Sequence, residues 1–111
     1  MLHRQRFIYD IINDMNKLKN NLTKKITVIN ELGLHARPAA KVAELAATAK
    51  SSVWLIKNGN KVDASSIIDV LSLCCIQGTT VILQVDSPED IVILNKIVNL
   101  FESGFQEQHI T

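Results

Sequence analysis

Aromatic residues are scarce, with one Trp, one Tyr and three Phe in 111 residues, so the stacking surface of single-strand nucleic-acid binders is missing. Twelve basic residues against eleven acidic ones leave a formal charge of +1, which removes the basic footprint as well. Nucleic acid is therefore not expected as a partner. The only two cysteines are adjacent, Cys74 and Cys75, a spacing that suits neither a disulfide framework nor the two-residue gap of a metal or redox motif. They read as small apolar residues on or near a buried helix face, in a reducing compartment. No apolar run approaches the roughly 20 residues that span a bilayer, and the N-terminus lacks a signal peptide's apolar stretch and cleavage site. Membrane insertion is not expected, and the location is read as cytoplasmic. His3, His35 and His109 share no ligand spacing, and no paired acid and base accompany His35, so neither a metal, a cofactor nor an independent hydrolase is read.

What is present is enough for one core. Apolar residues make up 47% of the chain and charged ones 21%, the balance of a single globular domain. Residues 1–22 stand apart in composition: Phe7, Ile8, Ile11, Ile12, Met15 and Leu18 recur at helical spacing, with Asp10, Asn13, Asp14, Lys17 and Lys19 between them. This pattern predicts an amphipathic helix. Packing on the rest of the domain is its leading expected use, with self-association or contact with another protein as alternatives. Its polar face mixes acids with bases, which argues against a membrane-surface role. Met15 is an alternative translation start that would leave residues 1–14 out.

Residues 23–111 form the expected domain. Ile26-Thr27-Val28-Ile29-Asn30 is a β-branched run before Gly33 and predicts a strand entering a turn. Pro38, then Ala39, Val42, Leu45, Ala46 and Ala49, mark the first turn and apolar face of a helix. Strands at 53–56 and 61–64 flank the hairpin signal Asn58-Gly59. Ser66, with Asp69 three residues on, caps a short second helix over Ile67, Ile68, Val70 and Leu71, an element closed by Gly78. A fourth strand is expected at 81–86. Ser87-Pro88-Glu89-Asp90 then opens a third helix whose core face uses Ile91, Leu94, Ile97, Val98 and Phe101. The order βαββαβα suits an α+β fold with helices on one face of a sheet.

The chemistry gathers at Gly33-Leu34-His35-Ala36-Arg37-Pro38-Ala39-Ala40, where an imidazole, a guanidinium and a proline meet at a helix N-terminus. Unpaired N–H groups and the positive end of the helix dipole favour an anion there, and Arg37 adds charge-assisted donors. The same positive surroundings should disfavour the imidazolium and keep His35 neutral and nucleophilic. Which ring nitrogen attacks depends on what the other one hydrogen-bonds.

This segment resembles the active-site signature of the HPr family, the histidine phosphocarriers of the bacterial phosphoenolpyruvate-dependent phosphotransferase system. The resemblance runs over about residues 25–105 and takes in the Asn58-Gly59 hairpin, the segment Ser66-Ile67-Ile68-Asp69-Val70-Leu71-Ser72-Leu73 and Gly78. It implies an open-faced β-sandwich, with a four-stranded antiparallel sheet and three helices on one face; residues 1–22 would be an N-terminal helical extension. It further implies a relay without independent turnover, in which His35 accepts a phosphoryl group on Nδ1 from enzyme I and passes it to an enzyme IIA component. Arg37 would steady the phosphate, Ala36 would lie at the helix start, and Pro38 would fix that start. Partners would dock on an apolar patch drawing on Ile67, Ile68 and Leu71, each of which could equally serve the core.

Ser66 matches the position that HPr kinase/phosphorylase modifies in many relatives, although its capping role needs no regulation to explain it. Charge added there would act at the docking surface rather than by melting the helix. Ala40, Lys41, Trp54, Asp63, Ser65, Asp69 and the cysteine pair depart from the better-known sugar-transport pattern. They leave open whether the relay serves sugar uptake or nitrogen-related regulation. The alternative function is a regulatory or corepressor module acting through Ser66 and the apolar patch.

Overall fold

In the computed structural model of the chain, the described residues are 2–107, without the side chains of residues 2–6 and 16–20. His109 and the side chains of His3, Lys17, Leu18 and Lys19 lie outside that description. Strands β1 (Thr23–Thr27), β2 (Val53–Lys57), β3 (Asn60–Asp63) and β4 (Thr80–Val85) form one antiparallel sheet in the order β1-β4-β2-β3. Helices α2 (Ala36–Ala46), α3 (Ile67–Ser72) and α4 (Ile91–Glu102) pack on one face of it, giving the expected open-faced α+β sandwich.

Alternation along the strands decides which face is covered. Ile26, Val53, Leu55, Val81, Leu83 and Val85 point into the core against Val42, Val70, Leu94, Ile97 and Phe101. The intervening residues build the open face, where Lys25, Ile82, Ile56 and Lys61 are aligned across the four strands. On the same face Trp54 stacks under the Lys61 ammonium, 4.6 Å from the ring centre, and donates its Nε1–H to Asp86 at 3.1 Å. Asn58 and Gly59 turn the β2–β3 hairpin with φ of +50° and +81°, as their side chains allow.

Three boundaries differ from expectation by more than one residue. The strand read at 26–30 is observed at Thr23–Thr27, because Lys24 and Lys25 pair in register with β4 despite their charge. The second helix ends at Ser72 rather than near Gly78. Beyond it Cys74 is exposed with φ +52°, and only Cys75 is buried, so the expected burial holds for one cysteine of the pair. The third helix opens as a 3-10 turn, Pro88–Asp90, before α4, and the buried Asp90 accepts the Lys50 and Ser51 N–H groups at 2.8 Å each.

Residues 2–21 form the expected helix, α1 (Leu2–Asn21), but its described apolar side chains do not pack on the domain. Phe7, Ile8, Tyr9, Ile11, Ile12 and Met15 are all exposed. The covered face of the sheet is already filled by α2, α3 and α4, and Leu22, the residue after α1, packs against the core. No helix among the described residues is long and apolar enough to cross a membrane.

Candidate functional site

β1 delivers the chain into a loop that is pinned from both sides. Val28 donates its N–H to Thr79 O at 2.8 Å, and Leu34 donates to Cys75 O at 2.8 Å while its side chain is buried. Between them Gly33 holds φ +67°, and a Cβ at that position would stand 2.4 Å from the Cys75 carbonyl oxygen. Only glycine allows so close an approach of two backbones. Two residues beyond Gly33, His35 is the N-cap of α2, with extended backbone and no capping bond from its side chain.

The first turn of α2 leaves few donors to choose from. Ala39 N–H closes the first helical bond, to His35 O at 3.0 Å, and Pro38 has no N–H. Ala36 and Arg37 therefore present the two backbone N–H groups with no partner among the described residues. The Arg37 side chain is exposed and likewise makes no hydrogen bond or ion pair there.

On the other side of the imidazole stands an acid that the sequence reading missed. After α4 a 3-10 turn, Gly104–Gln106, reverses the chain, with Phe105 and Gln106 at φ +58° and +57°. Such backbone costs about 1 kcal/mol or more per residue and persists because Phe105 is buried edge-on against Phe101, ring centres 4.9 Å apart. Lys41 Nζ donates to the Phe105 carbonyl at 3.3 Å and braces the turn. Glu107 follows directly. Its Oε1 lies 2.6 Å from His35 Nε2, and its Oε2 accepts from Asn30 Nδ2 at 3.1 Å. Asn30 is itself buried and holds the loop by donating to Gly33 O at 2.7 Å.

Burial pushes the Glu107 carboxyl up, but the hydrogen bonds from His35 and Asn30 and the electrostatic attraction to His35 and Arg37 outweigh it and hold the group below the ordinary carboxylate range. Glu107 is thus ionised at neutral pH and can only accept. His35 Nε2 must carry the proton. Nδ1 has no hydrogen-bond partner among the described residues, on a side chain that is 35% exposed. The expectation of wholly positive surroundings, with no acid beside His35, is corrected here: donors stand at the helix start and a carboxylate on the far side of the ring.

The remaining expected site residues fall into two groups. Ala36 and Pro38 occupy the first turn with His35 and Arg37. Ser66 caps α3, its Oγ accepting the Asp69 N–H at 3.3 Å. Ile67, Ile68 and Leu71 all face outward, 41%, 78% and 36% exposed, and Val70 alone of that helix is buried in the core. The sequence also gave no notice of Leu32 and Ile76, exposed apolar residues of the His35 loop and of the segment packed on Gly33. Among the departures, Asp63 accepts from both the N–H and Oγ of Ser65 at 2.9 and 2.7 Å, shaping the turn before Ser66.

A family model described as "PTS HPr component phosphorylation site" matches residues 22–103. The phosphocarrier protein HPr of Cupriavidus necator is 40% identical over 86 residues, 78% of this chain and 97% of that protein. The phosphocarrier protein NPr of Proteus mirabilis is 35% identical over 85 residues, 76% of this chain and 94% of that one. The crystal structure of HPr-C-His from Thermoanaerobacter tengcongensis superposes with a TM-score of 0.74 at 36% identity, covering 78% of this chain and 98% of that one. A histidine offered at a helix start, on this sandwich, within this span of similarity, places the chain in the HPr family of phosphotransferase-system phosphocarriers.

Proposed function

We propose that His35 takes a phosphoryl group on Nδ1 from the phosphohistidine of enzyme I and passes it to an enzyme IIA component. The observation that carries this reading is the bond between His35 Nε2 and the ionised Glu107, which leaves the lone pair on Nδ1. That lone pair attacks phosphorus, a new N–P bond forms at Nδ1, and the N–P bond of the donor histidine breaks. Because Nε2 keeps its proton, the ring gains positive charge as the bond forms, and Glu107 balances it. The same charge makes the ring a good leaving group in the next transfer. The phosphoryl oxygens are met by the free N–H groups of Ala36 and Arg37 and by the Arg37 guanidinium. No deep pocket is needed, since each partner brings its own active site to one exposed nitrogen.

Docking is assigned to the outward Ile67, Ile68 and Leu71, and the exchange takes place in the cytoplasm. Phosphorylation of Ser66 by an HPr kinase/phosphorylase is a second layer of control, supported by the exposure of those three residues in the helix that the serine caps. The test is incubation with phosphoenolpyruvate and enzyme I. Acid-labile label that disappears in His35→Ala supports the relay, and label that survives the substitution defeats it. Offering the labelled protein to sugar-type and nitrogen-type enzyme IIA in parallel distinguishes the two outlets. Label arriving on Ser66 from the kinase, absent in Ser66→Ala, supports the control; no label on Ser66 overturns it.

A further inference from the structure

We infer that α1 joins two copies of this chain through a short parallel two-stranded coiled coil. Helices in proteins draw most of their stability from burying an amphipathic face, and the domain buries none of Phe7, Ile8, Ile11, Ile12 or Met15, which are 42–67% exposed. No described part of the chain covers that face, and the spacing points to a second copy.

Ile8, Ile11, Met15 and Leu18 are separated by three, four and three residues. This is the 3.5-residue period of a coiled-coil seam, with Ile8 and Met15 at a and Ile11 and Leu18 at d. In that register Phe7 and Asp14 take g, and Ile12 and Lys19 take e. A parallel pair sets each g beside the e of the next heptad on the partner. Phe7 then meets Ile12 and Asp14 meets Lys19, one apolar and one oppositely charged contact, each made twice by the two-fold axis. Four flanking positions are satisfied without a mismatch, and the apolar pair widens a seam only two heptads long. An antiparallel pair sets g against g and brings Asp14 toward the Asp14 of the copy, which costs energy instead. The polar positions Asp10, Asn13 and Lys17 fall outside the seam. Both domains then leave the same end of the coil, so that one particle carries two His35 rings.

Sedimentation equilibrium of the full chain at micromolar concentration tests this. The expected mass is twice the 12.4 kDa of the chain, falling to that of one chain in Ile11→Asp, while Trp54 fluorescence and the thermal transition of the domain stay unchanged. Asp14→Lys should weaken the dimer, and adding Lys19→Asp should restore it. A monomeric parent protein overturns the inference, as does a dimer indifferent to Ile11→Asp. A charge swap that fails to restore association overturns the parallel arrangement.

Discussion

His35 Nε2 and Glu107 Oε1 lie 2.6 Å apart although 72 residues separate them in the chain. The pair is only partly open to water, the side chains being 35% and 19% exposed, and Asn30 fixes the second carboxylate oxygen. The acid has two consequences for the imidazole: it selects the nitrogen that carries the proton, and in the proposed relay it would balance the positive charge of a phosphorylated ring.

Replacing Glu107 by Gln separates those consequences. The amide oxygen can still accept from Nε2, so the tautomer is retained, but the balancing charge is gone. A charge-assisted bond exceeds a neutral one by about 1.5 kcal/mol, or roughly tenfold in rate. Rapid-quench measurement of label transfer from phosphorylated enzyme I should therefore show Glu107→Gln slowed about tenfold. An unchanged rate would remove Glu107 from the transfer step.

The same carboxylate should make stability depend on pH in acid. Its proton is held more weakly in the folded chain than in the unfolded one, where the ordinary value of 4.5 applies. Stabilisation from ionised Glu107 is thus complete above that value and is lost as pH falls through the lower, folded one. The difference in urea midpoint between the parent and Glu107→Gln should hold steady from neutrality downward and close below about pH 4.5. A difference that persists unaltered in strong acid would show that the charge does not contribute.

Gly33→Ala should damage both fold and transfer. The new Cβ would meet backbone, Cys75 O at 2.4 Å and Ile76 Cα at 3.0 Å, at a φ of +67°. Neither obstacle can rotate away, so strain and overpacking together should cost about 2 to 4 kcal/mol. Gly78→Ala is the control, since its φ of +89° opens onto empty space, and conformation alone costs about 1 to 2 kcal/mol. Equal losses in denaturant titrations would show that the close approach at Gly33 is unimportant.

Much of this was legible because it is local. The Asn58-Gly59 hairpin, the Ser66 cap and the helix start at His35 depend on neighbours within a few residues, and short-range patterns report them. Glu107 could not be found that way. Its partners His35 and Asn30 lie at the far end of the chain, and the turn that aims it is made by Phe105 and Gln106, whose left-handed backbone no composition rule anticipates. Asp90 stands in the first turn as expected, but its second role was hidden for the same reason: the carboxylate is buried and ties down residues 50 and 51. The three outward residues of α3 needed the structure too, since a six-residue helix shows too little periodicity to separate core from surface.

Ser66 offers a test in which folding and docking move apart. Its Oγ accepts the Asp69 N–H at a long 3.3 Å, so Ser66→Ala should cost no more than about 1 kcal/mol. Ser66→Asp keeps an acceptor at the N-cap and adds favourable charge at the helix start, offset by repulsion from Asp69 three residues on. Its stability should therefore stay near that of the parent. Docking differs, because the added charge stands next to Ile67 and near Ile68 and Leu71, which must lose water when a partner covers them. The KM for enzyme I should rise severalfold in Ser66→Asp and stay unchanged in Ser66→Ala, the reverse of their order in stability. Were KM instead to follow stability, the serine would be a helix cap and nothing more.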